Sequence, residues 1–133
     1  MRKHLPWLAS LLVLTGCEER DRLTFPSNEP GGDDLGPVTV IDSPSEDTTL
    51  TEGGPFVLSG RSLDATGIDT VYFDVAGGGV NFSPLSGGGQ DTVRFGLLIS
   101  TLGNRGQTIT VTAHAVDLHD NQGGVAIRRL TIE

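Results

Sequence analysis

Apolar and polar residues alternate with period two over three stretches of the chain. From Thr70 to Val75, the residues Val71, Phe73 and Val75 share one side, and Thr70, Tyr72 and Asp74 the other. From Thr92 to Ile99, Val93, Phe95, Leu97 and Ile99 share a side, with Leu98 and Leu102 blurring the end. From Thr108 to Val116, Ile109, Val111, Ala113 and Ala115 oppose Thr108, Thr110, Thr112 and His114. Alternation of this kind describes a β-strand with one buried face. Three shorter runs read the same way: Val38 and Val40, with Ile41 starting a change of face; Pro55 to Gly60, with Phe56 and Leu58; and Val80 to Phe82, a short edge strand. The final run, Val125 to Ile132, changes parity. Val125 and Ile127 share one face and Leu130 and Ile132 the other, which predicts a β-bulge near Arg128-Arg129.

Turn residues separate the runs. Pro44 to Asp47, Arg61 to Gly67, Gly77 to Gly79, Gly87 to Gly89, Asn104 to Gly106 and Asp117 to Gly124 all read as breaks. Apolar positions nowhere recur at helical spacing for three turns. The expectation is an all-β fold, an antiparallel sandwich of about seven strands over residues 37–133. Residues 107–116 and 124–132 form a hairpin in this reading, and the threonine-rich faces meet water.

The front of the chain has none of this alternation. Arg2, Lys3 and His4 precede an apolar run from Leu5 to Leu14, which is too short to span a bilayer as a helix. Leu14-Thr15-Gly16-Cys17 follows, holding the only cysteine. A charged start, a short apolar run and small residues at the end form a secretory signal. With the cut between Gly16 and Cys17, it resembles the lipobox of bacterial lipoproteins. That resemblance implies cleavage after residue 16, a diacylglyceryl group on the Cys17 thiol and attachment to the membrane. Glu18, where an Asp is associated with inner-membrane retention, favours the outer membrane. Residues 17–36 are charged and punctuated by Pro and Gly, a disordered tether with an r.m.s. span of roughly 25 Å.

The folded part carries a second resemblance. Gly106-Gln107-Thr108-Ile109-Thr110-Val111-Thr112-Ala113-His114-Ala115-Val116-Asp117, then Asp120-Asn121-Gln122-Gly123-Gly124 and a last strand, is similar to the closing strands of bacterial Ig-like repeats. Pro37-Val38-Thr39-Val40, Gly53-Gly54-Pro55 and Leu58-Ser59-Gly60-Arg61-Ser62-Leu63-Asp64 fit their opening. Fibronectin type III and cadherin-like modules share the pattern. The usual Asp-x-x-Gly-Asn turn is replaced by Asp117-Leu118-His119-Asp120-Asn121. The resemblance implies an Ig-like spacer or adhesion module at the cell surface, without catalysis.

The formal charge is −8, and it falls further once Arg2 and Lys3 are removed. Such a surface repels nucleic acid and anionic headgroups. The partners expected are therefore the membrane, through the lipid on Cys17, and a protein or polysaccharide ligand. Asp64, Asp69, Asp117 and Asp120 allow two readings: turn carboxylates bonding nearby backbone N–H groups, or a Ca²⁺ site at one end of the sandwich. No Asp-x-Asp-x-Asp-Gly loop is present, and no other cofactor is implied. His114 and His119 could pair with Asp117 or Asp120 at a metal, but His114 faces outward in mid-strand and His119 lies in a turn, and two unlinked surface histidines rarely form a specific site. No nucleophile and base stand together, so no enzymatic activity is expected. Arg94 and Arg128 read as charges on solvent faces that protect strand edges. The function expected is binding, adhesion or spacing by a lipid-anchored envelope module. The alternatives are an accessory subunit of an envelope or secretion complex, or a Ca²⁺-stabilised carbohydrate-binding module.

Overall fold

A computed structural model describes residues 35–133. The signal segment, Cys17 and the tether up to residue 34 lie outside the described residues. Six strands follow in order: β1 (Val38–Ser43), β2 (Thr48–Leu50), β3 (Pro55–Ala76), β4 (Leu85–Ser100), β5 (Thr108–Asp117) and β6 (Ala126–Ile132). Among the described residues there is no helix. The strands form one sheet in the order β1-β3-β5-β6-β2, with β4 on the other edge of β3.

The 22-residue β3 makes this sheet into a sandwich. Its first half pairs with β1, from Leu63 opposite Val38 to Ser59 opposite Ser43. Its second half pairs with β5, from Ile68 opposite Asp117 to Ala76 opposite Thr110. β4 runs antiparallel beside both halves. The β3–β4 register slips between Leu63 and Thr70. Past that slip β1 has left the sheet and β5 has joined it, so the sheet folds over on itself. Where the sequence predicts two strands and a turn at Arg61 to Gly67, there is therefore one bent strand. Gly67 sits in the bend at φ 104°, and a Cβ there would stand 2.7 Å from the Gly89 carbonyl oxygen, so the two backbones can meet only without a side chain. The Gly87 to Gly89 run, expected as a loop, lies inside β4. Val80 to Phe82 forms no strand, although Phe82 still packs on the core. The three-residue β2, parallel to β6, is too short to show a period.

The core is the inner face of every long strand. Ile109, Val111, Ala113 and Ala115 of β5 are fully buried, as are Leu58, Ile68 and Val71 of β3 and Ile99 of β4. Phe73 and Phe95 meet edge to face with ring centroids 5.0 Å apart. At Gly60 an added Cβ would stand 2.5 Å from Cζ of Phe95 and against the Val40 carbonyl oxygen. The glycine therefore makes room for the Phe95 ring over the strand.

Two expectations at the ends of the chain are corrected. β6 contains no bulge: its register with β5 runs unbroken from Ala126 opposite Ala113 to Thr131 opposite Thr108. Its inner face is Ala126, Arg128, Leu130 and Ile132, while Ile127 and the preceding Val125 face solvent. The bulge is instead in β1, at Asp42, between Ile41 opposite Gly60 and Ser43 opposite Ser59. Before it β1 alternates regularly, with Ile41 buried and Val38 and Val40 exposed.

Arg128 is therefore no solvent-face charge. It lies on the inner face of β6 and donates from Nη2 to the Ile41 carbonyl oxygen at 3.2 Å, next to the β1 bulge. Arg129 points to the outer face, with its N–H donating to Asp47 Oδ1 at 2.9 Å and its Nη1 3.6 Å from Asp47 Oδ2. Two consecutive residues of one strand thus hold the segment that crosses from one layer to the other. We expect Arg128→Ala to cost about 1–2 kcal/mol, from lost stem packing and an unsatisfied Ile41 carbonyl. Urea unfolding reads this cost, and faster amide exchange in β1 locates it.

Candidate binding surfaces

Folding brings the aspartate-bearing turns together at one end. Asp117 is buried, and both its carboxylate oxygens are used within its own turn. Oδ1 accepts from the N–H groups of His119 and Asn121, each at 2.8 Å, and Oδ2 accepts from Asn121 Nδ2 at 2.9 Å. Burial pushes this carboxyl up. The Asn121 side chain, the Asn121 and His119 N–H groups and the nearby His119 charge outweigh that, holding it below its ordinary value of 3.8. The Leu118 N–H donates to the Gly67 carbonyl at 3.1 Å and joins this turn to the bend of β3. In that bend Asp64 Oδ1 accepts from the N–H and hydroxyl of Thr66, at 2.7 and 2.6 Å. Asp69 accepts from the Thr70 hydroxyl at the surface, and Asp120 is exposed at φ 64°. Among the described residues no three His, Cys, Asp or Glu side chains converge as metal ligands would. His119 is exposed, and His114 stacks on Tyr72 instead of meeting a carboxylate.

The larger surface is the outer face of the layer containing the second half of β3 with β5, β6 and β2. Cross-strand register lays its side chains in rows. Thr49, Thr131 and Thr108 form one row. Arg129, Thr110 and Ala76 form the next, then Ile127, Thr112 and Asp74, then His114 and Tyr72. The last pair stacks with ring centroids 5.3 Å apart and planes 19° from parallel. At about 3.4 Å of rise per residue, Thr108 to His114 covers roughly 20 Å along β5. At the β2 end the face dips into a groove of about 420 Å³ lined by Asp47, Thr48, Thr49, Thr108, Arg129 and Thr131. Those four threonine hydroxyls make no hydrogen bond with other described residues, so the groove offers donors and acceptors already fixed by the sheet.

Alternation places Thr110, Thr112 and His114 outward from sequence alone. It cannot place Asp47 or Arg129 beside them, because those arrive through the β2–β6 pairing. The opposite outer face is less polar: Val38, Val57 and Leu98 are each more than half exposed there.

A family model described as a bacterial Ig domain matches residues 37–111. No curated protein matches the chain. Among solved structures, an arginine-to-glutamate mutant of the SrpA adhesin from Streptococcus sanguinis is 16% identical with a TM-score of 0.54, covering 77% of this chain and 57% of that one. The fibronectin(III)-like modules of Clostridium thermocellum CbhA are 13% identical with a TM-score of 0.49, covering 74% of this chain and 47% of that one. An engineered protein is 23% identical with a TM-score of 0.48, covering 73% of this chain and 20% of that one. This chain thus spans between 20% and 57% of the length of these solved chains. The family match runs from the residue before β1 into the middle of β5, through the bent strand that folds the sheet over, and the chain belongs to the bacterial Ig domain family.

Proposed function

We propose that this chain is a non-catalytic Ig-like module of the bacterial cell envelope, held to the membrane by lipid on Cys17 and acting by binding or as a spacer. The observation that carries the binding reading is the threonine-lined outer face. Its rows are rich in threonine, the hydroxyls of Thr48, Thr49, Thr108 and Thr131 make no hydrogen bond with other described residues, and a groove lies at one end. The similarity in fold to a structure named as an adhesin fits that reading. Support for the anchor comes from the sequence: the charged start, the short apolar run and Leu14-Thr15-Gly16-Cys17. A diacylglyceryl group plus an amide-linked chain gives stable anchoring, where a single chain does not.

Mass spectrometry of the mature N-terminus from the membrane fraction tests the anchor. The expected product starts at Cys17 and carries a thioether-linked diacylglyceryl group, and Cys17→Ser shifts the protein out of the membrane fraction. An unmodified Cys17, or cleavage at another bond, overturns the anchor. With Glu18 after the cysteine, the outer-membrane fraction is where the protein is expected in an organism that has one.

A further inference from the structure

In a seven-strand Ig sandwich, one layer carries four strands, the fourth lying outside the strand that pairs with the second. Here that layer has three: β1, the first half of β3 and the second half of β4. β4 pairs only with β3, so its other edge has no strand beside it among the described residues.

This edge borders a groove of about 380 Å³. Phe73, Phe82, Phe95, Leu85 and Leu97 give it apolar walls, and Ser83 and Arg94 also line it. The four consecutive residues from Arg94 to Leu97 all line it. Consecutive residues point to alternate faces, so the groove lies along the strand's edge and not beneath one face.

Charge narrows the occupant. Arg94 lies directly opposite Arg61 in the β3–β4 register. Arg61 is neutralised by Asp42, with Nη1 3.0 Å from Oδ1. Arg94 has no such counterion among the described residues, so a positive charge stands unmatched at this edge. A carboxylate arriving at the edge matches it. A second copy of the chain brings another Arg94 and a net charge of −8 instead.

We propose that the free edge of β4 at Arg94–Leu97 receives an extended segment of a partner protein by strand addition, with an apolar side chain entering the phenylalanine-lined groove and an acidic residue meeting Arg94. Main-chain hydrogen bonds supply the binding and the groove supplies the selection. This goes beyond the proposed function and rests on neither the lipid nor the threonine face.

The probe is a nine-residue synthetic peptide alternating valine with threonine and carrying one central glutamate. Controls replace the glutamate by lysine, or two alternating residues by proline. Binding to the full chain at low salt is read by fluorescence anisotropy, and amide exchange by NMR. The expected result is slowed exchange among the amides of residues 94–97 with the glutamate peptide and none with the proline peptide. Arg94→Glu is expected to weaken the glutamate peptide about tenfold and to strengthen the lysine peptide by a similar factor. The Arg94 side chain is exposed, so the melting temperature serves as the control for folding. No binding, protection elsewhere, or affinities unmoved by Arg94→Glu each overturn the proposal. Protection of this edge without peptide, rising with protein concentration alongside a dimer mass, assigns the edge to a second copy and also overturns it.

Discussion

Asp117→Ala lowers the melting temperature by about 10 °C at pH 7, the expectation for three hydrogen-bond donors left without their acceptor in a buried turn. The N–H groups of His119 and Asn121 and the side-chain amide of Asn121 all point at this carboxylate. No other acidic group in the described chain is both buried and so fully used. Its carboxyl is held below the ordinary 3.8, so the folded state binds this proton less readily than the unfolded chain does. The stability it contributes is fully present above that ordinary value and is lost as pH falls through the lower, folded one. Wild-type protein should therefore lose melting temperature as pH falls below about 4. Asp117→Asn should start lower and lose less over the same range, because it has no proton to take up. Thermal melts across pH 2–7 check both. A variant whose acid loss parallels the wild type would show that other carboxylates carry the acid sensitivity.

Leu130→Ala should cost about 2–5 kcal/mol, whereas Ile127→Ala three residues earlier should cost under about 1 kcal/mol. Leu130 is fully buried between the layers, and Ile127 is 46% exposed on the outer face. The comparison decides between two accounts of the last strand. If the strand bulged at Arg128-Arg129, both residues would face the core and both truncations would be costly. If it runs straight, as the unbroken register with β5 has it, only one is. Urea unfolding of the two variants with unchanged m-values makes the comparison direct.

The reason alternation misleads at this strand is chemical. Arg128 counts as polar in any pattern, yet its long stem lies on the inner face while its guanidinium reaches the Ile41 carbonyl. The inner face of β6 therefore reads as broken in the sequence and is continuous in the fold. The same holds for β3. Gly60, Arg61, Asp64 and Gly67 look like punctuation, but Gly60 makes space for Phe95, and Gly67 lets the strand bend against Gly89. Where side chains alone decide the face, as at Val71, Val93 to Ile99 and Ile109 to Ala115, the period-two reading and the burial agree residue by residue. Of the candidate surfaces, the threonines of β5 were legible for that reason. The groove at Asp47 and Arg129 was not, because it depends on a pairing between residues 82 apart.

That separation also bears on the order in which the protein assembles. β3 with β4 and β5 with β6 are hairpins whose partners are near in the chain, so they close at small entropic cost. The parallel pairing of β2 with β6 has to close the longest loop of any of the described strand pairings and returns only the pairs from Thr48–Leu130 to Leu50–Ile132. It is expected to form last, after the rest of the sheet has collapsed. Until then the outer edge of β6 is bare, and a newly made chain passes through a stage in which a strand that is interior in the native sheet is open to neighbours. The Asp47 carboxylate, already matched to the Arg129 N–H, is the contact that ends that exposure.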